Sequence, residues 1–171
     1  MKNILLTVIC CAVSPISVMA QAAPGGGTTD QDFVTLAAQT DMTEAHLGQL
    51  AQSQGASQAV KDLGQMLATD HTSDYTQLGT IATKAGITVP KGLDAKHDKM
   101  IAPFEKLKGA AFDRRYAPTM VKGHQEAIAA YKKEASDGQN ADIKTYAQQT
   151  LPTLEKHLQA AQDAAKAKPS K

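Results

Sequence analysis

Glu44, His71, Asp74, His124 and His157 are the side chains whose types and spacing point to chemistry in this 171-residue chain. Each falls on or beside an apolar stripe at helical spacing, where an aliphatic residue is expected. Leu67, His71, Asp74 and Leu78 form one such stripe; Phe33, Ala37, Thr40, Glu44, Leu47 and Ala51 form another, and both contain intruders. Met120, His124, Ala127, Ile128 and Tyr131 carry the third, and His157 borders the fourth, Ile143, Ala147, Leu151, Leu154, Leu158 and Ala161. Imidazole and carboxylate are expensive to bury unpaired, so these groups must meet one another. Two outcomes follow from such a meeting. A carboxylate with two or three neutral imidazoles is a ligand set for iron, copper or zinc. The same groups can instead form a hydrogen-bonded polar layer that fixes helix register.

The elements that must position them are helices, and no alternating stretch is long enough to propose a strand. Helix one is expected from Asp30 to Ser53, entered through Thr29 with Asp32 three residues on, and stopped near Gly55. Helix two runs from the N-cap Ser57 to about Ala85, where Lys84 and Gly86 end it. A connection of about two dozen residues follows, long enough to cross a bundle or cover one end, with a short amphipathic helix from Ala95 to Lys108 carrying Met100, Ile101, Phe104 and Leu107. Helix three spans Ala110 to Ser136, with Pro118 kinking it or delaying its start, and helix four runs from the cap Asn140 to Lys166. Four helices of about 37 Å each make an all-α four-helix bundle.

Depth along the helices tests the convergence. At about 1.5 Å per residue, Glu44 and His71 lie ~17 and ~23 Å from the turn joining helices one and two, and His124 and His157 ~21 and ~28 Å from the turn joining three and four. All four therefore fall near mid-bundle, whichever end each turn occupies. Asp70 lies about 100° round the helix from His71 and can pair with a neighbouring helix. Asp113 and Tyr116, in AAFDRRY near the start of helix three, suit a supporting role through the helix dipole. His46 is placed on another face from Glu44, and His97 in the connection has no evident partner. A di-iron carboxylate site draws Glu-x-x-His from each of two helices, and this chain contains no Glu-x-x-His. No nucleophile elbow, phosphate loop or zinc motif is present, so no catalytic residue is assigned.

Residues 1–20, MKNILLTVICCAVSPISVMA, have one basic residue, an apolar run and small residues before a cleavage point, the pattern of a secretory signal. Export to the periplasm or the medium is expected, with no spanning segment in the mature chain. Both cysteines lie inside that signal, leaving no disulfide and no thiolate ligand. Residues 21–29 read as a Gly-rich leader, 30–166 as the bundle domain and 167–171 as a disordered tail. The chain has 18 basic and 17 acidic residues, which balance once Lys2 is removed, and few aromatics, so no nucleic-acid footprint is visible. A second copy or another envelope protein is left open as partner.

MLATDHTSDYTQL, GAAFDRRYAPTMVKGHQEAIAAYKKEA and YAQQTLPTLEKHLQAAQ together resemble the exported bacterial family called domain of unknown function 4142, whose members are often labelled membrane or outer-membrane proteins. The resemblance rests on the ordered set Glu44, Asp70-His71, Phe112-Asp113 with Tyr116, His124, and Leu151-Pro152-Thr153-Leu154 with His157. It implies a ferritin-like helical bundle and export, and no established activity. Asp74, Tyr75 and Pro118 depart from the pattern expected of that family. The expectation is thus a non-enzymatic exported bundle in which Glu44, His71, His124 and His157 bind a transition metal, in metal handling or envelope stress. Asp70, Asp74, Asp113 and Tyr116 stand behind those ligands. The rivals are an interaction or structural module and, last, a di-iron-type oxidase.

Overall fold

The computed structural model describes residues 28–167; the expected signal segment, most of the expected leader and the end of the tail lie outside that range. Five helices follow in order: α1 (Thr28–Gln54), α2 (Gln58–Lys84), α3 (Ala95–Glu105), α4 (Gly109–Asp137) and α5 (Ala141–Lys166). Apart from one isolated backbone bridge between Gly55 and Gly109, there is no β pairing among the described residues.

The caps are local chemistry. Ser57 Oγ accepts from Val60 N–H, Asp94 accepts from Lys96 and His97 N–H, and Asn140 accepts from Asp142 and Ile143 N–H, each satisfying donors that a helix start leaves free. α1 starts earlier than the Thr29 capping signal predicts, so Thr28 and Thr29 belong to the helix and not to the leader. Pro118 and Pro152 lie within continuous helices; both are exposed, as are Arg114 and Gln148, whose carbonyls lose their partners toward water. Helix three therefore starts at Gly109, with no delay at Pro118.

α1 and α2 form one antiparallel hairpin, α4 and α5 the other, and contacts of α1 with α4 and α2 with α5 close the ring. Gly48 and Gly64 let α1 and α2 approach closely: a Cβ on Gly64 would stand 2.7 Å from Gly48 O and 2.6 Å from Ala51 Cβ. The segment between the hairpins runs the length of α1. Gln31 holds Thr88 through both its amide atoms, and Gln39 holds Gly92 and Asp94 in the same way. α3 then tucks Ile101 and Phe104 into the core; Met100, assigned by its spacing to the apolar face, is exposed.

An aspartate near the start of each hairpin, Asp30 in the first turn of α1 and Asp113 just past the first turn of α4, caps the turn of the other. Asp30 accepts from Gln139 and Asn140 N–H at 2.8 Å each, and Asp113 accepts from Ala56 and Ser57 N–H at 2.9 and 2.8 Å. The same sequence offset relates Asp30 to Asp113, Gly55 to Gly138 and Ser57 to Asn140, so the two hairpins repeat one plan. The apolar interior falls into two clusters. One contains Phe33, Val34, Leu78, Ile128, Tyr131 and Tyr146, and the other Leu47, Leu67, Phe104, Phe112, Tyr116 and Met120. Asp41, Glu44, His71, His124 and His157 are buried between them.

Candidate metal centre

Each long helix contributes one member of the buried cluster: Glu44 from α1, His71 from α2, His124 from α4 and His157 from α5. None of the four is more than 4% exposed. Nitrogens of the three imidazoles lie within 4.8 Å of one another. The Glu44 carboxylate completes the set, with Oε2 3.0 Å from His71 Nε2 and 3.3 Å from His124 Nε2. These contacts are short but not aligned as hydrogen bonds, and Glu44 Oε2, His71 Nε2, His124 Nε2 and His157 Nδ1 have no hydrogen-bond partner.

The other nitrogen of every ring is tied to an acceptor. His71 Nδ1–H donates to Asp41 Oδ1 at 2.8 Å, His124 Nδ1–H to the Met120 carbonyl at 2.9 Å, and His157 Nε2–H to Asp70 Oδ2 at 2.8 Å. A carbonyl or carboxylate can only accept, so these bonds place the ring proton on the outer nitrogen and leave the inner one as a lone pair when the ring is neutral. This is how histidine is presented to a metal, with the outer bond fixing tautomer and orientation. Three lone pairs and a carboxylate facing each other across a dry gap repel, and only a cation or added protons relieve them. Metal–nitrogen bonds of about 2.1 Å set neighbouring ligands about 3.4 Å apart, so small side-chain rotations close the 4.8 Å set onto one ion.

Electrostatics follow the same geometry. Burial opposes charge on His71, but Glu44 and Asp41 outweigh it and hold the imidazolium up to about 10. Burial also opposes the Glu44 charge, which His124 and His71 nevertheless stabilise, leaving this carboxyl below its ordinary range. His157 is pushed down to about 4 by burial and by the neighbouring rings, against the pull of Asp70. Asp41 is raised by its burial.

Among the supporting residues named from sequence, Asp70 orients His157. Asp74 instead accepts from Tyr146 O–H at 2.7 Å, and Tyr131 O–H then donates to Tyr146 at 3.2 Å, a chain leading away from the imidazoles. Asp113 is spent on the α1–α2 turn and does not reach the cluster. Tyr116 is buried with its hydroxyl unpartnered, its ionisation suppressed by burial and by the Glu44 charge. His97 does have a partner, Asp94, at 2.7 Å. Spacing does not single out Asp41, because the expected α1 stripe runs through Thr40, one position away. Thr40 is half-buried and Asp41 is 1% exposed. Its place three residues before Glu44 on the same face was the available signal.

Fold and site together define an all-helical protein with a buried cluster of three histidines and one glutamate. The chain belongs to the family described as Domain of unknown function (DUF4142), whose model matches residues 16–164. No curated protein and no solved structure matches it.

Proposed function

We propose that this protein is an exported, ferritin-like four-helix bundle that binds one transition-metal ion through Glu44, His71, His124 and His157. One observation carries the reading: four buried, unpartnered ligand atoms face one another while every ring is oriented from behind. Three imidazoles and a carboxylate suit zinc, iron or copper in the divalent state. The down-and-back course of the two hairpins, joined by a crossover running along α1, supports the ferritin-like description. A purely hydrogen-bonded layer in an interaction module is the rival, and it leaves the four inner atoms without partners. A di-iron oxidase would require more carboxylates on the inner side of the rings, where only Glu44 faces the unpartnered nitrogens; Asp41 and Asp70 hold the rings from behind. Export rests on the signal pattern of residues 1–20. Metal handling in the envelope, without catalysis, is the role that fits.

The test uses the mature chain purified without a histidine tag, its metal content measured by mass spectrometry and its affinity by calorimetry. One metal per chain is expected, with binding lost in His71→Ala and His124→Ala. No binding, or binding unchanged in both variants, overturns the proposal.

A further inference from the structure

The metal reading leaves open how an ion reaches a site whose ligands are almost wholly buried. Two openings approach the cluster. Between α2 and α5 lies a cleft of about 270 Å³, walled by Asp70, Asp74, Ser73, Thr150 and Thr153, with His71, His157 and Leu154 as its most buried lining residues. Both histidines have an unpartnered nitrogen, His71 Nε2 and His157 Nδ1. The opposite groove, between α1, the crossover and α4, is larger and lined mostly by apolar surface. It meets only Glu44, where the missing side chain of Gly123 opens a window: a Cβ there would stand 3.0 Å from Oε1. That oxygen is not the one facing the rings; Oε2 is. In the groove Lys96 and Lys122 stand among Asp32, Asp94 and Glu126 as well as Glu44, whereas the two carboxylates of the cleft face no lysine or arginine.

The geometry points to the α2–α5 cleft as the entry port for a hydrated divalent cation, with Asp70 and Asp74 as its first holding point. This inference rests on the metal reading above. At about 30 Å³ per water, the cleft has room for a cation that still carries several waters. The carboxylates favour a cation over an anion at the mouth, and the hydroxyl and amide groups of the walls replace lost hydration. The ion then exchanges its remaining waters for the lone pair of His157 and for Nε2 of His71, whose proton leaves to solvent, and afterwards for His124 and Glu44. Asp70 has two parts in this sequence. Its Oδ2 holds His157 while its carboxylate, partly exposed, meets the incoming ion.

Stopped-flow mixing of tag-free mature protein with Co²⁺, followed by the visible absorption of the bound ion, reads the association rate. Thr153 is exposed at the mouth and touches none of the ligands' hydrogen bonds, so charge placed there leaves the site intact. Thr153→Lys should slow association about tenfold and Thr153→Glu should speed it, with both effects shrinking as salt is added. Leu36→Lys, which places the same charge in the opposite groove, should leave the rate unchanged. Exposed Gln149→Lys provides a second reading at the cleft if Thr153→Lys does not fold. Equal rates in the cleft variants, or slowing by Leu36→Lys alone, overturn the port while leaving the metal site standing. Wild-type protein that takes up no Co²⁺, Zn²⁺ or Fe²⁺ overturns both.

Discussion

The three imidazoles of the cluster are fixed in different ways. His124 is held by the carbonyl of Met120 one turn back in its own helix, and His157 by an aspartate partly open to solvent. His71 depends on Asp41, a fully buried carboxylate whose second oxygen has no partner. A buried charge with one unsatisfied oxygen is costly, and a hydrophobic core alone gives no reason to keep it. Its charge raises the basicity of His71 and so strengthens a metal bond at Nε2. Asp41→Asn preserves the shape and an acceptor for Nδ1–H while removing that charge. Metal affinity should fall by about 10- to 100-fold, the range found when such outer partners are altered. Thermal stability without metal should change little, because the substitution relieves burial while weakening the ion pair. Calorimetric titration beside a melting curve separates the two effects; a collapse of the fold with no effect on affinity would assign Asp41 to structure alone.

At the scale of elements, the two hairpins are joined end to end by aspartates. Asp113 pins the α1–α2 turn with two hydrogen bonds from a buried position, so Asp113→Ala leaves two N–H groups unpaired and should cost about 2 to 3 kcal/mol, read from urea unfolding. At the other end, Glu134 lies in the last turn of α4 against Asp30, and burial followed by that carboxyl pushes it up to about 7. A carboxyl whose folded value exceeds its unfolded one of 4.5 stabilises in its protonated form, so stability falls as pH rises from about 4.5 to 7. Glu134→Gln keeps a donor toward Asp30 at every pH. It should stabilise the protein at pH 8 and flatten that slope; unchanged melting temperatures across the range would show that no proton is held there. Helix periodicity made the elements and the meeting of Glu44, His71, His124 and His157 legible, because their mid-helix depths agree in either hairpin orientation. The paired end caps were not legible. In the sequence Asp30 and Asp113 are only acids near a helix start, and only the tertiary fold shows that each serves the opposite turn. A one-residue error on a stripe of about 100° per step was likewise enough to hide Asp41.

Over the whole molecule, the cluster ties together all four long helices at the level where the two apolar cores part. An ion held there binds the folded state and not the unfolded chain. It stabilises by RT ln(1 + [M]/Kd), about 4 kcal/mol at a thousand times Kd. Without the ion, a proton on His71 between Asp41 and Glu44 does part of the same work. The His71 folded value of about 10 lies above its ordinary 6.5, so this contribution is complete below pH 6.5 and disappears as pH rises toward 10. The ion must displace that proton, so its affinity should rise by about tenfold per pH unit over the same interval. The two forms therefore diverge: from pH 7 to 9.5 the metal-free protein should melt at falling temperatures, while the increment given by a fixed excess of Zn²⁺ should grow. Melting curves on chelator-treated and zinc-loaded protein measure both. Parallel curves would mean that zinc binds elsewhere on the chain. A metal-free protein insensitive to pH would mean that His71 is neutral and the layer is held together by its hydrogen bonds alone.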